Sequence, residues 1–150
     1  MYHILLALHL LFAVFAVGPL VHAATTASRG VRRADAGATA SAARMLRIYA
    51  YASVLVVLVG FGLMSAKAPW DPSEHVASFG ETWIWLSALL WLLAVVLVLV
   101  VLVPTLDRAT QAIGSGGAVG APTGRVAAAG GVVGLVFAAV VFLMVYQPGG

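Results

Sequence analysis

The hydrophobic pattern of the chain consists of four long apolar runs separated by shorter, more polar stretches. The runs are Ile4–Ala23, Leu46–Ala66, Trp83–Val103 and Val126–Tyr146. Each has close to the roughly 20 residues that a helix needs to cross a hydrocarbon core about 30 Å thick. The pattern therefore predicts four transmembrane helices that together form one domain over residues 1–150.

Composition and charge agree with this interpretation. Hydrophobic residues make up 63% of the chain and charged residues only 9%, whereas soluble domains average about 25% charged residues. Within the four runs the one charged residue is Arg47, next to the start of its run, where a long side chain can reach the lipid headgroups. An ordinary soluble fold and a disordered chain are both excluded. The predicted fold class is all-α, an integral membrane four-helix bundle.

The orientation of the bundle follows from its connections, because short cytoplasmic loops carry an excess of Lys and Arg. The second connection holds one lysine against three acids, and the third holds two arginines against one acid. The first connection and its edges hold one acid and five arginines, namely Arg29, Arg32, Arg33, Arg44 and Arg47. We therefore expect the first and third connections in the cytoplasm, and the second connection and both termini outside. The five arginines are expected at the headgroups of anionic lipids on the cytoplasmic face.

The first run also resembles a secretory signal peptide. Ile4–Val17 has the length of its apolar region, and Val21-His22-Ala23 resembles a cleavage site. However, no Lys or Arg precedes the run, and the arginines from Arg29 onward would resist translocation. We therefore expect the first run to be retained as a membrane helix.

Local signals refine the helix boundaries. The Ala-rich segment after Asp35 is expected to extend the second helix beyond the bilayer. Asp71-Pro72-Ser73-Glu74 combines a capping residue, a proline and a glutamate in the pattern of a helix start. It predicts a short interfacial helix over about Pro72–Phe79 in the external loop. Gly18-Pro19 is expected to bend the first helix.

Small residues predict where the helices approach each other, because close packing replaces the hydrophobic effect in lipid. The fourth helix carries two rows of small residues at intervals of four, and the second helix carries two glycines. These candidate packing residues are Gly130, Gly134 and Ala138, then Ala127 and Gly131, and finally Gly60 and Gly62. The third helix is dominated by bulky Leu and Val, so we expect it to be peripheral or covered by a partner subunit.

The sequence contains few groups that could perform chemistry. It has no cysteine, its apolar runs have no Asp, Glu or Lys, and no catalytic constellation is found, so we expect neither an enzyme nor a pump. Histidines are the exception. His9, with His3 and Met64, could hold copper or haem, although an interhelical hydrogen bond explains each histidine more simply. No cofactor is the primary expectation.

The first helix resembles one protein family. The segment from Leu8-His9 to Gly18, in which a glycine follows the histidine nine residues later, is similar to the opening helix of CopD-like copper-resistance membrane proteins and of related predicted integral membrane proteins. The tryptophan often found just before this glycine is replaced by Ala16 and Val17. The resemblance covers about one helix in four and implies a role in copper or haem handling.

A second resemblance concerns the layout of the whole chain. A four-helix protein of this size, rich in Ala, Val and Gly, is similar to the small accessory subunits of the actinobacterial cytochrome bc–oxidase supercomplex, such as respiratory supercomplex associated factors. This resemblance implies a non-catalytic accessory or stabilising subunit of a larger complex in the bacterial cytoplasmic membrane. Two hypotheses follow: such a subunit of the respiratory chain, or a copper or haem protein that uses His9, His3 and Met64.

Overall fold

Four long helices account for the four apolar runs. In the computed structural model, which describes residues 1–71, 73–117 and 122–148, these helices are α1 (Tyr2–Arg32), α2 (Ala36–Met64), α3 (Thr82–Gly114) and α4 (Pro122–Tyr146). All four are long and apolar enough to cross a membrane. No strand occurs among the described residues, where β-pairing is limited to a single isolated bridge.

The helices extend beyond the apolar runs mainly at one end of the bundle. Asp35 starts α2, because its Oδ1 accepts a hydrogen bond from the backbone N–H of Ala38 at 2.9 Å. This early start confirms the predicted extension of the second helix. With 31 residues in α1 and 33 in α3, these helices are about 46 and 50 Å long at 1.5 Å per residue. Both exceed a hydrocarbon core of about 30 Å.

A tight turn joins α1 to α2. The backbone N–H of Asp35 donates to the carbonyl of Gly30 at 3.0 Å, and Ala34 takes a positive φ of 49°. Gly30 favours this close approach, since a Cβ added there would lie 3.2 Å from both the backbone nitrogen and the Oγ1 of Thr39. The turn makes α1 and α2 close antiparallel neighbours.

The four helices form a sequential ring in which each packs against the next and α4 returns to α1. We call the end with the α1–α2 turn the arginine end, and the end with both chain termini and the 65–81 loop the termini end. The main core lies in the arginine half. On α2 its buried residues recur at alternating intervals of four and three, the spacing of a helix seam, and they are Thr39, Ala43, Leu46, Ala50 and Ser53.

The closest helix contact joins α1 to α4. A Cβ built on Gly130 would collide with the carbonyl oxygen of Ala24 and would lie 2.9 Å from its carbonyl carbon. One turn along α4, a Cβ on Gly134 would lie 3.2 Å from Cγ2 of Thr25. Ala138 in the same row is exposed. The second row, Ala127 and Gly131, is also exposed and lies outside this contact.

Packing is unequal among the helices. In the most apolar window of each helix, 33% of the residues are buried in α3 but only 11% in α1. No residue of Tyr2–Phe12, the first half of α1, is buried. The prediction that the third helix is peripheral is therefore wrong. Five bulky side chains of α3 lie in the core, namely Val95, Val98, Leu102, Val103 and Leu106. The segment left on the outside is the first half of α1.

Two helices contain a stretch of wider π-helical turns. These stretches are Ala13–Val17 in α1 and Leu97–Leu102 in α3, and each ends two residues before a proline, Pro19 or Pro104. A proline inside a helix has no N–H to donate and crowds the carbonyl four residues earlier. The π turns accommodate this disruption while the helix continues. The irregularity predicted at Gly18-Pro19 therefore lies just before these two residues.

The predicted short interfacial helix does not form in the described part of the 65–81 loop. Residues 73–81 are turns and irregular backbone, and Pro72 lies outside the described residues. The chain folds back on itself through an isolated bridge between Lys67 and His75. The backbone N–H of Ala68 donates to the carbonyl of Glu74 at 2.9 Å. Pairing with the segment that follows α2 therefore replaces the helix.

Asp71 makes local hydrogen bonds within this loop. Its Oδ1 accepts hydrogen bonds from the hydroxyl of Ser73 at 2.7 Å and from the backbone N–H of Ser73 at 2.9 Å. The hydroxyl bond first, and then the backbone bond, lower the pKa of the Asp71 carboxyl below its ordinary value. Such hydrogen bonding between an Asp side chain and the residue two positions further on is common in turns.

The α1–α4 crossing gives a first prediction. Gly130→Ala should lower the free energy of unfolding by about 2 kcal/mol, because the new methyl group meets a backbone carbonyl that cannot move without shifting a helix. Gly131→Ala is the matched control, since a Cβ there meets no atom within 4 Å. Unfolding in sodium dodecyl sulfate, followed by circular dichroism, measures both. Equal destabilisation by the two variants would contradict the crossing.

Candidate functional site

His9 joins α1 to α2 in the termini half of the bundle. Its Nδ1 donates a hydrogen bond to the carbonyl oxygen of Val56 at 3.0 Å. Gly60 makes room for the ring, because a Cβ added there would lie 3.1 Å from His9 Cε1. At Gly62, by contrast, an added Cβ meets nothing within 4 Å. His9 thus makes a polar contact between α1 and α2, and Gly60 leaves the space for its ring.

The other two predicted metal ligands lie in different surroundings. His3 is exposed, with its ring edge-on to Tyr2 at a centroid distance of 5.2 Å. Met64 is buried in a small apolar cluster with Trp83 and Ile84. Within the described residues, no three His, Asp or Glu side chains are grouped so that they could hold a metal ion. The use of His9, His3 and Met64 as one ligand set therefore stays a prediction.

Buried polar side chains connect α2 to α3 near the middle of the bundle. Trp91 Nε1 donates to the hydroxyl of Ser53 at 3.0 Å, and this hydroxyl donates to the carbonyl of Ala50 at 2.7 Å. One turn before Trp91, the buried hydroxyl of Ser87 has no hydrogen-bond partner among the described residues. Sequence reasoning missed this link, although a tryptophan in the middle of an apolar helix signals a buried N–H that requires an acceptor.

The first half of α1 presents an apolar stripe away from the core. Its side chains recur at intervals of four, three and four residues and are between 40% and 66% exposed. They are Ile4, Leu8, Leu11 and Phe15. The first half of α1 packs against α2, whereas the contact of α1 with α4 is made by Gly18–Arg32. In the termini half, α1 and α4 are therefore separated, and the apolar stripe is not covered by this chain.

The arginine end carries all five predicted headgroup residues on its surface. Arg29, Arg32, Arg33, Arg44 and Arg47 are exposed. Arg47 Nη2 lies 2.9 Å from Asp107 Oδ2, which ties α2 to α3. Both side chains are about half exposed, so solvent screening keeps this pair weak. The other four arginines make no ion pair with any residue that the structure describes.

Four of the five acidic residues make structural hydrogen bonds or an ion pair, and Asp71 is one of them. Glu81 accepts hydrogen bonds from the backbone N–H of Ser78 at 2.7 Å and from Trp83 Nε1 at 2.6 Å, which ties the loop to the start of α3. Asp35 caps α2, and Asp107 pairs with Arg47. No catalytic constellation occurs among the described residues.

The architecture thus defines the chain as a four-helix bundle compatible with a multi-pass membrane protein. Compared with protein families, with curated proteins and with solved structures, the chain matches none.

A second prediction concerns His9. His9→Leu should lower the free energy of unfolding by about 1 kcal/mol, which is typical of a hydrogen bond between membrane helices. The metal content of the purified protein, measured by elemental analysis and by the Soret absorption of haem, should be the same in both forms. His3→Leu is the control for an exposed histidine and should change neither quantity. Loss of stoichiometric copper or haem in the His9 variant would instead favour the metal hypothesis.

Proposed function

We propose that this chain is a non-catalytic accessory or stabilising subunit of a larger bacterial membrane complex. The observation that carries the proposal is the unequal packing of the bundle. Its arginine half has a continuous core, whereas the first half of α1 buries none of its residues. The region that we assign to binding another subunit is the outer stripe of α1, which consists of Ile4, Leu8, Leu11 and Phe15.

The spacing of this stripe is compatible with packing against a partner helix. Apolar residues at alternating intervals of four and three form the seam by which one helix packs along another. The opposite side of α1 contains His9 and Ala16, and it is already in use against α2. A partner helix on the stripe would therefore leave the α1–α2 contact undisturbed.

The resemblance in layout directs the choice of partner. It makes the respiratory chain, and the cytochrome bc–oxidase supercomplex in particular, the first complex to test. In this proposal the chain lies in the bacterial cytoplasmic membrane with both termini outside, and the arginine end faces the anionic lipids of the cytoplasmic leaflet. The copper or haem alternative rests on the resemblance of the first helix, and the metal measurement on His9→Leu decides it.

Site-specific photocrosslinking in the native membrane tests the docking stripe. A benzophenone amino acid at Leu11 should give one discrete crosslinked product, in which mass spectrometry identifies an integral subunit of a multisubunit complex. The same group at Leu93 on α3 is the matched control, because Leu11 and Leu93 are both 52% exposed. It should give lipid adducts only.

Two results would contradict the proposal. One is a protein product of equal yield from both positions, which would indicate random collisions. The other is that Leu11 and Leu93 both give lipid adducts alone, which would mean that the stripe faces lipid.

A further inference from the structure

A groove lies between the second half of α1 and the beginning of α2, at the arginine end. Its volume is about 320 Å³. Along α1 it follows His22, Thr26, Arg29 and Arg33, which lie on one helix face at intervals of four, three and four residues. At 1.5 Å per residue, this face is roughly 16 Å long.

The groove has an apolar floor and a polar rim. The floor consists of small side chains and one methionine: Ala23, Ala27, Gly30, Ala42 and Met45. Ala23, Ala27 and Gly30 are buried, and Ala42 and Met45 are partly buried. Ser41 stands on the α2 side of the rim, opposite the arginines of α1.

The rim carries uncompensated positive charge. Arg29 and Arg33 make no ion pair with any residue in the described ranges, although one carboxylate, that of Asp35, also lines the groove. Its Oδ1 accepts the hydrogen bond from Ala38 that caps α2. The groove thus contains two guanidinium groups and one carboxylate, and this carboxylate already accepts a hydrogen bond from a backbone N–H.

The rim also offers neutral hydrogen-bonding groups. The ring of His22 and the hydroxyl of Ser41 make no hydrogen bond to any other described residue. The hydroxyl of Thr26 is different, because it already donates to the carbonyl of His22 at 2.7 Å. A ligand in the groove would therefore meet two guanidinium groups, one imidazole and one hydroxyl.

From these features we infer that the groove binds one anionic phospholipid, with its phosphate between Arg29 and Arg33 and an acyl chain along the floor of Ala23, Ala42 and Met45. Guanidinium groups bind phosphate through strong, charge-assisted hydrogen bonds. The apolar floor favours a lipid over a free phosphate ion, because a free ion would leave that floor in contact with water. The position of the groove also agrees with a bound lipid. It begins at His22, near the end of the first apolar run, where the acyl chain could enter the membrane.

This inference is narrower than a general attraction of five arginines to an anionic membrane. It selects Arg29 and Arg33, while Arg32 and Arg44 lie outside the groove lining. It does not depend on docking to a larger complex, because the groove and the outer stripe of α1 are separate surfaces.

Native mass spectrometry of the full chain in an uncharged detergent tests the inference. The protein is titrated with dioleoyl-phosphatidylglycerol, with dioleoyl-phosphatidylcholine and with inorganic phosphate. Wild type should retain one phosphatidylglycerol in preference to phosphatidylcholine. The double variant Arg29→Gln/Arg33→Gln should lower this affinity about tenfold. Arg32→Gln/Arg44→Gln removes the same charge outside the groove and should change the affinity less than about twofold.

A third variant tests the groove without changing its charge. Ala38→Phe places a large side chain at an exposed position of the lining and should also weaken retention of phosphatidylglycerol. Helix content by circular dichroism checks the fold of each variant. If the groove double variant does not fold, retention of phosphatidylglycerol by Ala38→Phe tests the groove.

Four results would overturn the inference. The first is an equal loss of affinity in the two double variants, which would indicate only general surface charge. The second is unchanged retention in the groove variants. The third is equal retention of the two lipids by wild type. The fourth is displacement of the lipid by inorganic phosphate at the same concentration, which would indicate a site for a free anion.

Discussion

The close approach of α1 and α4, where Gly130 lies against the carbonyl of Ala24, determines how the rest of the bundle is arranged. In lipid, apolar side chains gain little by leaving the solvent, so helices associate where their backbones can come close. Glycine permits that approach here, and the main core gathers around it in the arginine half. Beyond the crossing, α1 follows α2 and loses contact with α4. One end of the bundle is therefore closed and the other is open.

This asymmetry links the two functional surfaces. At the closed end, the tight α1–α2 turn at Gly30 sets Arg29 and Arg33 beside a floor of small residues. At the open end, α1 exposes Leu8, Leu11 and related apolar side chains. We propose that a lipid occupies the first surface and a partner subunit the second. The packing of α1 thus produces both surfaces, and neither requires chemistry at a catalytic centre.

Features that depend on nearby residues in the chain could be predicted from the sequence. The apolar runs predicted the four helices, and Asp35 marked the start of α2. Features that depend on a neighbouring helix could not, because an apolar side chain looks the same whether it faces lipid or protein. For this reason the sequence predicted a peripheral position for α3, whereas the structure buries more of its apolar window than of any other helix. Likewise, Gly130 and Gly131 both belong to rows of small residues, and only the position of α1 distinguishes them. The pattern at Asp71 predicted a local helix, but the loop pairs instead with the segment that follows α2.

Distance measurements between α1 and α4 test whether these two helices meet only in the arginine half of the bundle. The chain has no cysteine, so pairs of spin labels can be attached at introduced cysteines and measured by double electron–electron resonance in lipid nanodiscs. Labels at Thr25 and Gly131, beside the crossing, should give a short and narrow distance distribution. Labels at Leu11 and Phe142, in the termini half, should give a longer and broader one. Short, narrow distributions for both pairs would contradict the account, because α1 and α4 would then be packed along their whole length.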